Sequence, residues 1–384
     1  MRALANQRGS ALLIALALMA LLTVVAITAL DRSTTDVDMS YNQLHDDQAF
    51  YIAEAGINRA CAELSNDLSW RSGFTCVAFN DGQYTVTLDD STTNASLADT
   101  VVVTSMAERN GASSGIEVYM VPIIFRPFQY ALFGDSSVDM RNSALTDSYN
   151  SDSGTYAGTV LFDYGDIGSN GTIDAANGAM LGGDVATATE GGLSINPGAT
   201  VAGDTTSTAP EQELPLIPDE VWAEVAVVND NATGISGSYT YNPSTHSFLT
   251  SGTVIFQTGT YFFSSVELKN TASLELAPGA VVTIYVTGDI ELKNSSQVNL
   301  DGSPMDLQFY SQGDIVLKNS GDIFATFYSP DGFGDLRNSG DFYGSIVAED
   351  ILVHNSAGFH FDRHLLDIEW PSISGMMVVA WREI

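Results

Sequence analysis

Near the end of the 384-residue chain, His360, Asp362 and His364 alternate within Phe359-His-Phe-Asp-Arg-His-Leu365. On an extended strand alternate side chains share one face, so the three would converge. Imidazole and carboxylate groups so placed could bind a metal or share protons. The competing reading is a polar cap on the last turn of a repeat array. Asp331, Asp335 and Arg337 form a second group, of the kind that cleaves glycans, but their Gly-rich setting reads more simply as turns. Cys61 and Cys76 are either a short disulfide or two free thiols, and spacing alone does not fix the geometry. No phosphate loop, nucleophile elbow or Cys/His cluster is present. The Gly-Gly-x-Gly-x-Asp calcium repeat is also absent. We expect no cofactor, beyond weak Ca²⁺ at an acidic surface.

These residues sit in a chain of 47 acidic and 14 basic side chains, with a formal net charge of −33. Between Arg141 and Lys269 there is no Lys or Arg, while fifteen Asp and Glu fall there. Such a surface repels phosphate backbones and excludes nucleic acid as a partner. A hydrophobic content of 45% with 10% aromatics excludes a disordered acidic polymer.

Repetition dominates the C-terminal part. Ile290-Glu-Leu-Lys-Asn-Ser295 has relatives at Val138, Val266, Ile315, Asp335 and Ile351, and Asn270, Asn294, Asn319, Asn338 and Asn355 follow one another by 24, 25, 19 and 17 residues. Gly-Asp-Ile/Leu/Phe punctuates the same region at Gly288, Gly313, Gly321, Gly334 and Gly340. Steps near twenty, each with two or three short strands, predict a right-handed parallel β-helix over 128–384, its asparagines stacked as an amide hydrogen-bond ladder. Pro210, Pro215 and Pro218 mark 205–220 as a linker or a strapped crossover. Upstream, Gln83–Leu88, Thr100–Ser105 and Ile116–Phe125 alternate or are β-branched, which predicts a small antiparallel sheet over 71–127.

The N-terminus carries Arg2 and Arg8, then Ser10 to Leu30, 21 residues without a charge. That run is long enough at ~1.5 Å per residue to cross a hydrocarbon core of ~30 Å. Basic residues before it and an acidic chain after it predict a cytoplasmic N-terminus and an exported remainder. No proline precedes Pro122, and Val37, Tyr41, Leu44, Tyr51 and Ala55 recur at helical spacing. A transmembrane and amphipathic helix over 10–70 follows, on the order of 88 Å long. A Sec signal peptide is the competitor, but its apolar run is shorter.

Arg8-Gly9-Ser10 before the apolar run and Gln48-Ala-Phe-Tyr-Ile-Ala-Glu-Ala-Gly56 resemble the N-terminal segment of PilX-type, type IV pilin-like pilus-assembly proteins. The resemblance covers about 7–65. It implies a prepilin leader over 1–9, cleavage after Gly9 by prepilin peptidase, N-methylation of Ser10, and packing of the helix among other pilin-like subunits. Major pilins carry Glu at the fifth mature position, where this chain has Ile14. That departure favours a minor component. Gly259-Thr-Tyr-Phe-Phe263, Val282–Ile290, Phe342–Ala348 and Phe359–Leu365 resemble a β-helical domain of unknown function on bacterial surface proteins.

The expected function is therefore a minor pilin-like subunit, held in the bacterial inner membrane before assembly and at a pilus or cell surface afterwards. Its β-solenoid would serve adhesion, filament tip or priming, with a glycan or another surface as ligand, and no catalysis. The alternatives are a membrane-anchored β-helical polysaccharide-active enzyme and a static surface protein.

Overall fold

The computed structural model describes residues 5–384 apart from 95, 98–99, 124, 355 and 371–374. Two compact units emerge. The first begins with a 62-residue helix, Ala5–Asn66. Leu12 to Leu30 are exposed along its apolar half, as a segment built for lipid or for neighbouring helices requires. Thr23 and Thr28 donate their hydroxyls to the carbonyls of Met19 and Val24, so their polar atoms need no water.

The second half of the helix changes character. Ile52, Ala53, Ile57, Ala60 and Leu64 recur at helical spacing and are buried against Tyr84, Val86, Val103, Ile116, Val118 and Met120. These partners lie on antiparallel strands Phe74–Phe79, Gly82–Asp89, Val101–Arg109 and Ala112–Ile123. Asn80-Asp81 and Asn110-Gly111 have positive φ at both residues and make the tight hairpins that join them. A fifth strand, Gly375–Glu383, returns from the C-terminus to pair with Ala112–Ile123. The block expected over 128–384 thus ends earlier, and the last strand belongs to the small sheet, because Met376 helps cover the helix-facing core.

The second unit is a 24-strand, mostly parallel β region, consistent with a β-helix. The repeat Ile-Glu-Leu-Lys-Asn explains itself there. Its two apolar residues point inward at alternate positions, and each stacks on its counterpart in the next coil. One such column runs Leu268–Leu292–Leu317–Leu336–Val353–Met140–Ala175, every member buried. The intervening Glu and Lys face outward.

That column shows an order the chain does not follow. The first coil, Leu132–Met140 with Leu145–Tyr149, pairs on one side with the next coils at Ile167–Ser169 and Thr172–Ala175. On its other side it pairs with the last coil, Ile346 to Val353 and Gly358–Asp362. The chain therefore starts mid-ladder, winds outward to Thr205–Thr206, and crosses to the far end before winding back. The Pro-rich segment is that crossover. Gln212 exchanges two hydrogen bonds of 2.8 Å with the Asn170 side chain, and Tyr328 donates to the Pro215 carbonyl at 2.9 Å. The helix Asp219–Val227 sets Trp222 edge-on to Tyr285 at 5.4 Å, and Asn231 clamps the Phe262 backbone through both amide atoms. Tyr328, Tyr310, Tyr285 and Phe262 belong to successive coils, so the crossover climbs an aromatic ladder. At the far end Ile235–Gly237 pairs antiparallel with Thr253–Phe256, and Thr240–Asn242 with Ser247–Thr250, which covers the ladder edge.

Gly56 offers a direct check on the helix–sheet contact. Alanine there would gain helix propensity worth about 1 kcal/mol. A Cβ at that position, however, would lie 2.3 Å from Ser105 Oγ and 3.0 Å from the Tyr84 ring. Gly56→Ala should therefore lower the melting temperature of the detergent-solubilised chain; an increase would mean that the helix does not pack this closely.

Candidate functional site

The recurrent Asn positions fall into one register. Asn294 pairs with Asn319, and the flanking pairs Leu268–Leu292 and Leu317–Leu336 bring Asn270 and Asn338 into the same line. Asn355 lies outside the described residues. Asn142, which opened the repeat family at Val138, continues this line and donates to the His354 carbonyl. The expected amide ladder is not what joins them. The Asn270, Asn294 and Asn319 carbonyls accept from the backbone N–H groups of Ser295, Ser320 and Ser339 at 2.7–2.9 Å. The side chains serve the turns instead. Asn142, Asn270 and Asn294 are exposed and adopt φ near +60°, a left-handed conformation asparagine tolerates. Asn319 is buried and donates to the carbonyls of Ser296 at 3.0 Å and Gly321 at 2.7 Å, while Asn338 donates to Gly340 at 2.8 Å.

The residue before each asparagine forms a cationic row. It lies beside a carboxylate row two residues further upstream. Lys269 and Lys293 pair with Glu267 at 2.8 and 2.7 Å, and Lys293 also holds Glu291 at 2.5 Å. Asp335 gathers Arg337 at 2.8 Å, His354 at 3.1 Å and Lys318 at 3.3 Å. Burial alone would raise the Glu267 and Asp335 carboxyls, but these cations outweigh it and hold both below the ordinary range. All three lysines of the chain are used in this row. Asp335 and Arg337 are thereby engaged in stacking, and Asp331 lies apart, lining a groove beside the crossover with Leu216 and Trp222.

The Gly-Asp punctuation has a shared cause. Asp289 Oδ1 accepts the Asp314 N–H, and Asp314 Oδ1 accepts that of Phe333, both at 3.0 Å. Asp322 and Asp341 do the same for Asp341 and Gly358. A third line, Asp166–Asp184–Asp204, repeats the bond at 2.7 Å. The glycine lets the backbones approach: a Cβ on Gly313 would lie 2.4 Å from the Gly288 carbonyl carbon. Gly334 differs, pairing with Ile315 on the inward row.

His360, Asp362 and His364 do not converge. His360 and Asp362 end the strand Gly358–Asp362, but His364 lies in the following 3-10 turn, Arg363–Asp367. Asp362 Oδ1 caps that turn at the His364 N–H, 3.1 Å, and also accepts from the Ser151 N–H at 2.9 Å. His364 Nδ1 meets the Ser151 hydroxyl at 3.4 Å. Buried His360 instead bonds Asp147 through Nδ1 at 2.6 Å and lies 3.8 Å from Asp341 through Nε2. Burial would depress its pKa, but the two carboxylates overcome this and raise it. His360 is also one step of a stack, Phe324–Tyr343–His360, with ring centroids 4.1 and 4.6 Å apart. Among the described residues no group of three His, Cys, Asp or Glu side chains could hold a metal ion.

The cysteines are separate thiols. Cys61 faces the sheet with its sulfur 3.8 Å from that of Met120, and burial pushes its thiol up. Cys76 is exposed, at φ +49° within an irregularity of the first strand pairing, and approaches Thr85. The two sulfurs meet different neighbours, and no bridge joins them. Gly9 and Ser10 lie on the helical backbone, and their side chains fall outside the description.

A long helix with a lipid-suited apolar half, seated on a small antiparallel sheet, defines a pilin-like chain. Family comparison is specific: residues 8–58 match the PilX N-terminal family, so the chain carries a PilX-type pilin N-terminus. Residues 265–368 match a domain of unknown function, DUF7305. Competence-associated pilin ComZ from Thermus thermophilus is similar at 13% identity and a TM-score of 0.34, over 88% of this chain and 98% of that one. No curated protein matches.

Two expectations follow from the stacks. Asn319→Ala should cost about 1–3 kcal/mol through its buried hydrogen bonds, and Asn319→Gly should not restore it. Asn294→Ala should cost about 1–2 kcal/mol through its left-handed backbone, and Asn294→Gly should recover most of that. Melts showing the same rank at both sites would contradict this division. For His360, whose folded pKa is raised, stabilisation is present below the unfolded value of about 6.5 and fades as pH rises through the folded one. Melting temperature should fall as pH rises above about 6.5 in the native chain, with a shallower fall in His360→Gln.

Proposed function

We propose that the chain is a minor, low-copy pilin-like subunit that displays its parallel β region as a β-solenoid for surface adhesion or for a filament tip. The observation that carries this reading is the placement of the β region. It is inserted between strands Ala112–Ile123 and Gly375–Glu383 of the sheet on which the PilX-type helix packs. Anchor and display unit are therefore one chain, joined at two strands rather than by a single tether.

The apolar residues up to Leu30 would hold the subunit in the inner membrane and then bury against neighbouring pilin-like helices. With Ile14 in place of an acidic residue, the amine of a mature Ser10 lacks a charge partner in its own first turns, which is costly in an apolar core. Such a subunit suits a position with no copy above it. Catalysis is not part of the reading, because Asp147, Asp335 and Asp341 are committed to ion pairs within the stack.

Mass spectrometry of the native protein should find an N-methylated Ser10 at the mature N-terminus, and Gly9→Leu should accumulate precursor. A mature chain beginning near Leu30 would instead identify a Sec signal peptide. In sheared filaments, quantitative proteomics should place the chain far below a separate major pilin, and dominance of this chain would refute the low-copy role.

A further inference from the structure

A groove of about 540 Å³ opens beside the His360 stack, wholly within the β region. It is lined by Tyr149, Tyr156, Phe324 and Tyr343 together with Asp301 and Asp322. Phe324 and Tyr343 are nearly parallel, 5° apart, so each covers one face of the other and the pair forms a rigid aromatic part of the lining. Ser151, Thr155 and Ser303 add hydroxyls to the lining, and the Ser151 and Ser303 hydroxyls, 3.1 Å apart, join two of its loops.

Tyr149 is 2% exposed and its hydroxyl is buried, so it serves the groove as wall. The neighbouring Tyr156 hydroxyl donates to Asp147 at 2.7 Å, which fixes that ring in the lining.

The lining also excludes ligand classes. No Lys or Arg lines the groove, while two carboxylates do, in a chain of net charge −33. Phosphates, sulfates, sialic acids and uronic acids would enter against that field with no counter-charge. A compact cation would use the carboxylates and leave the row of hydroxyls idle. An uncharged, hydroxyl-rich ring uses both, because a carboxylate accepts from sugar hydroxyls and tyrosine or serine hydroxyls both donate and accept. The volume lies within the range of small-ligand sites.

We infer that this groove is a binding site for a neutral sugar ring of a glycan. It deepens the adhesive reading given above, yet it is separable from it: a chain that assembles into filaments but binds no sugar fails only here.

The test uses the full chain in detergent on an array of neutral, amino and acidic oligosaccharides, with tetramethylammonium as a cationic probe by titration calorimetry. Retention of at least one neutral glycan is expected, weakened at least tenfold in Tyr156→Ala and in Asp301→Asn. Melting curves establish that each variant is folded. Asp301→Asn keeps a residue type suited to the left-handed backbone at position 301, so it reports on the lining even where Tyr156→Ala unfolds the loop. Binding of acidic glycans only, of tetramethylammonium only, of no glycan, or of a neutral glycan indifferent to Asp301→Asn would each overturn the assignment.

Discussion

The β region rests on one seam. The coil that the chain makes first, Leu132–Met140, is completed only when Ile346 to Val353 lies along it in parallel register. Ser137 and Asp350, 213 residues apart, are joined across that seam by a hydrogen bond of 2.5 Å. Until it forms, both halves of the ladder present an open parallel edge, with unpaired N–H and C=O groups ready to recruit another chain. The crossover makes closure possible. It carries the chain to the far end, so that winding back ends beside the starting coil. Its tyrosine and tryptophan contacts are thus part of the topology, since they hold the path that lets first and last coils meet.

Stacking so many acidic residues at coil spacing would be self-repelling without local answers, and the structure uses two. Aspartates after the coil-spacing glycines turn their carboxylates onto backbone N–H groups of the next coil, which spreads negative charge onto hydrogen-bond donors. The outward Glu and Asp before the asparagines are matched by nearly all of the cationic side chains of the repeats. Individually such exposed pairs contribute little, about 0.2–1 kcal/mol. Their role here is to prevent like charges from facing one another along a row.

The period of the repeat, the pilin-like helix and the antiparallel sheet were legible in the sequence because each rests on local pattern. Inward Ile and Leu at alternate positions, with Asn at the turn, dictate a coil whatever the neighbouring coil is. Coil order was not legible: Val138-Asp-Met-Arg-Asn reads as one more repeat, and nothing in it says that it stacks on Ile351 as well as on Ile173. The fifth strand of the small sheet was hidden for the same reason, since its partner is far away in sequence. For the site, His360 was visible, yet its partners were not. Asp147 and Asp341 reach it through stacking of separate coils, whereas the alternation with Asp362 and His364 suggested a nearer set. The asparagine row was found through spacing, but spacing cannot distinguish an amide ladder from left-handed turns joined by main-chain bonds.

The seam also fixes how a pull would travel. The β region is tied to the helix-bearing sheet by both of its ends, at the strand that begins with Leu132 and after the coil that ends with Asp362, and these two coils are neighbours. A pull applied between those two ends would therefore enter and leave at adjacent coils, and the outer coils on either side lie off that path. Those outer coils are mechanical bystanders, free to vary in number and surface without weakening the tether.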